Sequence, residues 1–238
     1  MSEEYNEAIA YHYNAYRPPL HEVILSRVLG NDERFQDGLD IGCGTGYSAM
    51  ALAKYCSQVY GVEPSASMLK KAMPHKTITY LNGFGGALPI PNSSVDVVTF
   101  AGSLFYAKSP ALIKELRRVC RDQSTIIAYD FNVLLDDVLQ YCDIRLDESP
   151  SDYDFEVNFD DTNDFSKIVT HQEQVDLAVT ASELAHILFA DAIIYKAFVK
   201  KYEVADPFPH LVGKLALATA QRNLKVKIYF SKYERKTT

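Results

Sequence analysis

Basic residues are in the minority in this 238-residue chain: 24 Lys and Arg stand against 31 Asp and Glu, a formal net charge of −7. A general nucleic-acid binder is expected to carry a basic surplus, so no nucleic-acid partner is expected. The short clusters Lys196–Lys201 and Lys232–Lys236 read as solvated faces. No uncharged run reaches the ~18 residues needed to span a bilayer, so no membrane partner is expected. The N-terminal Met-Ser-Glu-Glu-Tyr-Asn-Glu is acidic, without the apolar core of a signal peptide. Cysteine is sparse: Cys43, Cys56, Cys120 and Cys142 form no CxxC pair and are expected as free thiols. Six scattered histidines make no HxxxH pair, and no metal is expected. There is no internal repeat and no low-complexity tract. The expectation is a soluble cytoplasmic protein, its oligomeric state left open.

Apolar material is sufficient for a full core, at 47% of residues. The stretch Leu39–Ser48, Leu-Asp-Ile-Gly-Cys-Gly-Thr-Gly-Tyr-Ser, organises the rest: an apolar strand end, glycine at every second position (Gly42, Gly44, Gly46), then a helix-capable run. Glycine permits positive φ and lets a ligand approach the backbone. The first N–H groups of the following helix would face that ligand. Before it, 4–16 and 20–29 read as helices, separated by Arg17-Pro18-Pro19. After it, strands are expected near 37–42, 58–62, 77–81, 95–100 and 124–130, with helices at 46–55, 66–73 and from Ser109-Pro110 onward. This alternation argues for a parallel sheet with helices on both faces. A helix at 132–142 leads into the acidic, turn-rich Asp147–Asp164, expected as a solvated surface loop or small insertion. A strand at 166–178 follows. A capping box from Thr180 to Glu183 opens a helix running toward Tyr202. A helix at 210–222 and a strand at 226–230 complete the chain.

The glycine turn is not a dinucleotide fingerprint, because Tyr47 occupies the position of the third glycine, which counts against a nicotinamide oxidoreductase. It is not a P-loop either, since no Gly-Lys-Ser/Thr follows. Glu63 ends the next strand about twenty residues on, where a carboxylate can accept both hydroxyls of a ribose. With these residues in view, Leu39–Gly46, Gly61–Ser65 and Leu88–Asp96 resemble the successive motifs of class I S-adenosylmethionine-dependent methyltransferases, specifically small-molecule enzymes of the ubiquinone-biosynthesis and trans-aconitate type. The motifs cover about 37–130, and Tyr16-Arg17-Pro18 resembles an N-terminal segment of the trans-aconitate group.

The resemblance implies a doubly wound, mostly parallel seven-stranded α/β sheet with an antiparallel closing strand and helical additions. It implies a single domain over 1–238, residues 1–30 as a helical lid and 131–222 as a substrate cap. The reaction implied is methyl transfer from S-adenosylmethionine to an O, N or C atom of a small metabolite, leaving S-adenosylhomocysteine. Asp40, Gly42, Cys43 and Gly44 would surround the methionine end of the cofactor. Glu63 would take the ribose hydroxyls, and Pro64, Ser65 and Met68 would sit near the adenosine. Ala101, Gly102 and Ser103 would lie beside the sulfonium and the substrate. The loop Gly83-Phe84-Gly85 departs from the family pattern, which has an acidic residue where Phe84 stands. Phe84 could stack on the adenine, or its N–H could bond a ring nitrogen; otherwise the adenine pocket is degraded. Tyr16 and Arg17 either bind a carboxylate of cofactor or substrate or belong to a helix packing its aromatics on the core. His21 reads first as a surface or satisfied histidine, and Tyr106 as a residue that could face the acceptor. No dedicated base is visible. A non-catalytic cofactor-binding or partner protein on the same fold is the alternative.

Overall fold

The computed structural model describes residues 3–146, 152–218 and 221–236. Strand β1 (Phe35–Ile41) pairs in parallel with β2 (Cys56–Glu63) on one side and with β4 (Val95–Ala101) on the other. β3 (Ile78–Asn82) extends the β2 side and β5 (Cys120–Val133) the β4 side, again in parallel. With β6 (Phe165–Thr180) and β7 (Gln221–Arg235) the sheet runs β3-β2-β1-β4-β5-β7-β6. It is mostly parallel with one antiparallel closing strand. Val95, Val97, Val98, Thr99 and Phe100 of β4 are all buried, as a parallel strand covered on both faces requires. The strand order reverses between β1 and β4. Open α/β sheets bind ligands in the crevice that such a reversal leaves beyond the strand carboxyl ends.

The chain divides into two compact units. One comprises Pro19–Phe131, Tyr153–Glu173 and Ile228–Thr238; the other comprises Met1–Pro18, Asn132–Asp152 and Gln174–Lys227. The segment 1–30, expected as one lid, is therefore split at Pro18–Pro19. In the first unit α2 (Leu20–Leu29), α3 (Tyr47–Leu52), α4 (Ala66–Leu69), α5 (Leu104–Ala107) and α6 (Pro110–Val119) accompany the strands. α3 and α4 are shorter than expected, and α5 was not anticipated. Ser109 caps α6, accepting from the Leu112 N–H at 3.2 Å, and Leu112, Leu116 and Val119 form its buried stripe. The Leu88–Asp96 motif is a clamp. The Arg118 guanidinium bonds the carbonyls of Leu88 and Ile90, while Asp96 accepts from the Gln36 and Asp37 N–H groups and pairs with Arg121.

Where it is described the acidic segment is turn-rich and mostly exposed, as expected, with Phe159 as its buried anchor; residues 147–151 lie outside the described residues. Phe159 is buried, with its ring edge-on to Phe100, Phe165 and Tyr233. Asp160, Asp161 and Asp164 pair with Lys167, Lys108 and Arg117. One large aromatic buried in the core fixes the segment, and nearby cations compensate its charge.

The second unit holds α1 (Glu3–Ala15), α7 (Asp136–Tyr141), α8 (Ala181–Phe189), α9 (Ala192–Tyr202) and α10 (Phe208–Ala218). The Thr180–Glu183 capping box is present. The helix expected to continue to Tyr202 is instead two. Asp191 interrupts it, and its carboxylate accepts from the N–H groups of Ile193 and Ile194 at 2.8 and 2.9 Å, opening α9. The apolar stripe resumes beyond the break at Ile194 and Phe198, so periodicity alone reads straight through it. α7 is shorter than 132–142 because β5 continues to Val133, and Gln221 and Arg222 belong to β7 rather than to the preceding helix. No helix among the described residues is long and apolar enough to cross a membrane.

Candidate functional site

The turn after β1 folds over the end of β2: Gly42 N–H donates to the Val62 carbonyl at 2.8 Å and Cys43 N–H to the same oxygen at 3.2 Å. The glycines of this turn serve different needs. A Cβ on Gly42 (φ +76°) would lie 2.5 Å from the Ser103 Cβ, so here another part of the chain demands the space. A Cβ on Gly44 (φ +55°) would meet only Met68 Sδ, at 3.8 Å, among the described residues. The free backbone surface of the turn is therefore at Gly44.

Glu63, at the carboxyl end of β2, is 7% exposed. Its Oε2 accepts from Gly44 N–H at 3.1 Å and its Oε1 from Ser65 N–H at 2.9 Å. Ser65 also caps α4, its hydroxyl accepting from Met68 N–H. The Asn82 side chain donates to the carbonyls of Glu63 and Pro64 at 3.0 Å, tying the end of β3 to the same corner. A carboxylate offers about four lone-pair positions, and the backbone engages two of them.

Asp40 is fully buried on β1. Its Oδ2 accepts from Ser48 Oγ at 2.5 Å and its Oδ1 from Thr99 Oγ1 at 2.8 Å, Thr99 being its register partner on β4. Both oxygens thus have partners within the protein. Burial pushes the Asp40 carboxyl up to about 6, against the pull of the two hydroxyls, and Glu63 nearby adds to the rise. The folded state then holds a proton over a range where the unfolded chain has lost it. The stability that this group contributes is present below about pH 4 and lost as pH rises through about 6, some 3 kcal/mol for a shift of this size. The variant Asp40→Asn is expected to abolish that decline, read from unfolding free energies between pH 4 and 7.

At the end of β4, Gly102 (φ +67°) donates its N–H to the Tyr129 carbonyl at 2.8 Å, and Ser103 Oγ donates to the Ile41 carbonyl. Ser103 thus packs against the glycine turn across the strand reversal, while Ala101 and Gly102 lie against β5. The loop after β3 carries Gly83 against Pro89 and Gly85 against Leu112, and the Phe84 ring is 60% exposed. Cys43 is buried, which raises its thiol; Pro64 and Met68 are exposed.

The remaining candidates have other surroundings. Arg17 and Tyr16 belong to the second unit: the Arg17 guanidinium carbon lies 3.7 Å from the centre of the Tyr13 ring, and burial together with Glu183 raises the Tyr16 hydroxyl. His21 Nδ1 lies 3.1 Å from the Tyr129 hydroxyl, its ring edge-on to Tyr129 and Phe131. Tyr106 is 78% exposed.

Two residues escaped the sequence reading. Asp130, on β5 just beyond Tyr129, accepts from Phe131 N–H at 2.7 Å and is bonded to the Tyr153 hydroxyl. That hydroxyl also lies 3.0 Å from the Gly102 carbonyl oxygen. The strand-end rule that singles out Ala101–Ser103 points equally to Asp130. Tyr153, within the acidic segment, carries no comparable signal. Among the described residues no group of three or more His, Cys, Asp or Glu is placed to hold a metal ion.

Residues 39–128 match the methyltransferase domain family, and the turn, Glu63 and the β4 end all lie within that span. Residues 39–128 thus carry the domain shared by class I S-adenosylmethionine-dependent methyltransferases. It is 27% identical over 128 residues to a Dictyostelium discoideum protein described as a methyltransferase, covering 53% of this chain and 49% of that one. It is 30% identical over 137 residues to an uncharacterized methyltransferase of Schizosaccharomyces pombe, covering 54% and 52%. The chain spans about half the length of the curated relatives it matches. A solved structure described as a type II methyltransferase from Anaeromyxobacter dehalogenans shares the fold, with a TM-score of 0.66 at 22% identity, over 93% of this chain and 98% of that one.

Proposed function

We propose that this chain transfers the methyl group of S-adenosylmethionine to an O, N or C atom of a small metabolite and releases S-adenosylhomocysteine. The buried Glu63 carboxylate carries the reading. Backbone N–H groups hold it at the strand end, and two lone-pair positions remain for a vicinal diol. The open backbone at Gly44 fits a ligand that approaches closely there. The residues present therefore fit the cofactor: Gly42, Cys43 and Gly44 would border its methionine end, Pro64, Ser65 and Met68 its adenosine, and Ala101–Ser103 its sulfur. Asp40 would act from behind the turn, with its oxygens bound to Ser48 and Thr99. When bound, the cofactor supplies a methyl group already activated on a positively charged sulfur. The chain has to align the acceptor with that group and exclude water.

Thermal unfolding with S-adenosylmethionine, S-adenosylhomocysteine or NAD tests this, because a ligand binding the folded state alone raises the midpoint. Stabilisation by NAD and by neither of the others overturns it. Binding of S-adenosylmethionine without methyl transfer to any member of a metabolite panel favours a non-catalytic binding protein instead. In the adenine pocket, Phe84→Ala is expected to weaken S-adenosylmethionine binding by about 5- to 30-fold, the loss of one base–aromatic stack of roughly 1–2 kcal/mol. Because the ring is exposed, the stability of the free protein should stay within about 0.5 kcal/mol. Unchanged affinity in calorimetric titration rules out stacking.

A further inference from the structure

The Tyr153 hydroxyl has one hydrogen and, among the described residues, two acceptors within reach, the Asp130 carboxylate and the Gly102 carbonyl. We propose that Asp130 and Tyr153 form a proton-accepting pair for methyl transfer, and that the acceptor is a small molecule whose attacking atom enters carrying a hydrogen, a hydroxyl or an amine. The inference rests on the methyltransferase reading above and adds the substrate class and the base to it.

The geometry gives the pair two fully hydrogen-bonded states. With Asp130 ionised, Tyr153 donates to the carboxylate. With Asp130 protonated, the carboxyl donates to the phenol oxygen, and the phenol hydrogen turns to the Gly102 carbonyl. Taking up a proton therefore leaves no donor or acceptor stranded. Burial raises Asp130 above the ordinary aspartate range, which brings its proton affinity closer to neutral pH, where a general base works best. The Tyr153 hydrogen bond and the Phe131 N–H oppose that rise. Among the described residues, the titratable groups around the pair include Tyr129 beside Asp130 with His21 bonded to it, Asp40 near Tyr129, and Tyr106 and Asp154 near Tyr153. Tyr153 is 37% exposed, so an acceptor can reach it, and Phe105 and Tyr106 flank its ring at 5.0 and 5.7 Å. Gly102, whose carbonyl completes the pair, lies in the Ala101–Ser103 stretch expected beside the reacting groups.

The step balances. The acceptor's lone pair forms the new bond to the methyl carbon, the carbon–sulfur electron pair returns to sulfur and cancels its charge, and the acceptor's proton passes to Asp130. A carboxylate acceptor, already ionised, would need none of this.

The test begins with the free protein and needs no acceptor. Carbon-13 titration of the Asp130 carboxyl is expected to show an inflection above the usual aspartate range, moving higher still in Tyr153→Phe, which removes a donor to the ionised form. An ordinary inflection that ignores Tyr153→Phe overturns the pair. Methylation is then followed over a panel of alcohols, phenols, amines and carboxylic acids. In Asp130→Asn, kcat is expected to fall at least about 100-fold while the thermal shift with S-adenosylmethionine persists. The wild-type rate should rise with pH through the Asp130 inflection, and in Tyr153→Phe that limb should move to higher pH. If Asp130→Asn does not fold, the Tyr153→Phe profile carries the test. Turnover confined to carboxylic acids, or unaltered in Asp130→Asn, overturns the inference. Failure of wild-type protein to respond to S-adenosylmethionine defeats instead the methyltransferase reading on which it rests.

Discussion

Glu63→Gln is expected to weaken S-adenosylmethionine binding by about 10- to 100-fold. A hydrogen bond to a charged group contributes roughly 1.5–3 kcal/mol, and each 1.4 kcal/mol is a factor of ten. Glutamine keeps the length of the side chain and one acceptor oxygen. It replaces the other oxygen by an NH2, which cannot accept from either the Gly44 or the Ser65 N–H. One of those donors loses its partner, and the oxygen that remains is too heavily used to take both hydroxyls of a ribose. Glu63→Ala goes further: it frees both backbone donors and should cost the ligand-free protein about 1–3 kcal/mol as well. The two variants thus separate roles. Glutamine mainly reports ligand recognition, whereas alanine also reports how far the carboxylate holds the turn and the start of α4 in place. Isothermal titration for affinity and denaturant unfolding for stability read the two effects. Wild-type affinity in Glu63→Gln would remove the ribose from this corner.

Much of the corner is visible in the sequence because its signals are local. An apolar run, alternate glycines and a carboxylate closing the next strand each declare themselves within a few residues. β4 reads as a buried strand because Val95 and the run Val97–Phe100 need cover on both faces, and the α6 start reads from Ser109-Pro110 alone. What stays hidden depends on residues distant in sequence. The intramolecular partners of Asp40, which reads as a cofactor-side residue, stay hidden until Thr99, 59 residues on, is found in register with it. Tyr153 gains meaning only when the fold sets its hydroxyl against Asp130 and Gly102. The acidic segment is solvated, as its charge suggests, but that Phe159 anchors it in the core is visible only in the fold. The break at Asp191 is concealed by a stripe that continues across it, and the division at Pro18–Pro19 follows from which contacts form, which no local pattern encodes.

The three glycines of the turn look alike in the sequence, and the structure separates two of them into opposite expectations. Gly42→Ala should destabilise the protein strongly. The left-handed backbone at φ +76° costs a β-carbon about 1–2 kcal/mol, and that carbon would stand 2.5 Å from the Ser103 Cβ. Ser103 cannot swing aside freely, because its hydroxyl is bonded to the Ile41 carbonyl. A total of about 3–5 kcal/mol is expected, lowering the midpoint by roughly 6–20 °C for a chain of this size. Gly44→Ala, with φ +55° and open space beyond, should cost only the backbone contribution of about 1 kcal/mol, yet weaken S-adenosylmethionine binding at least tenfold, because its β-carbon enters the room left for the ligand. Ser103→Gly removes the atom that Gly42→Ala would strike. The pair should therefore be less harmful than the sum of its members, with a coupling of about 1–3 kcal/mol. Strict additivity would show that the Gly42 requirement is conformational alone. Equal loss of stability in Gly42→Ala and Gly44→Ala would show that the turn gives no separate space to a ligand.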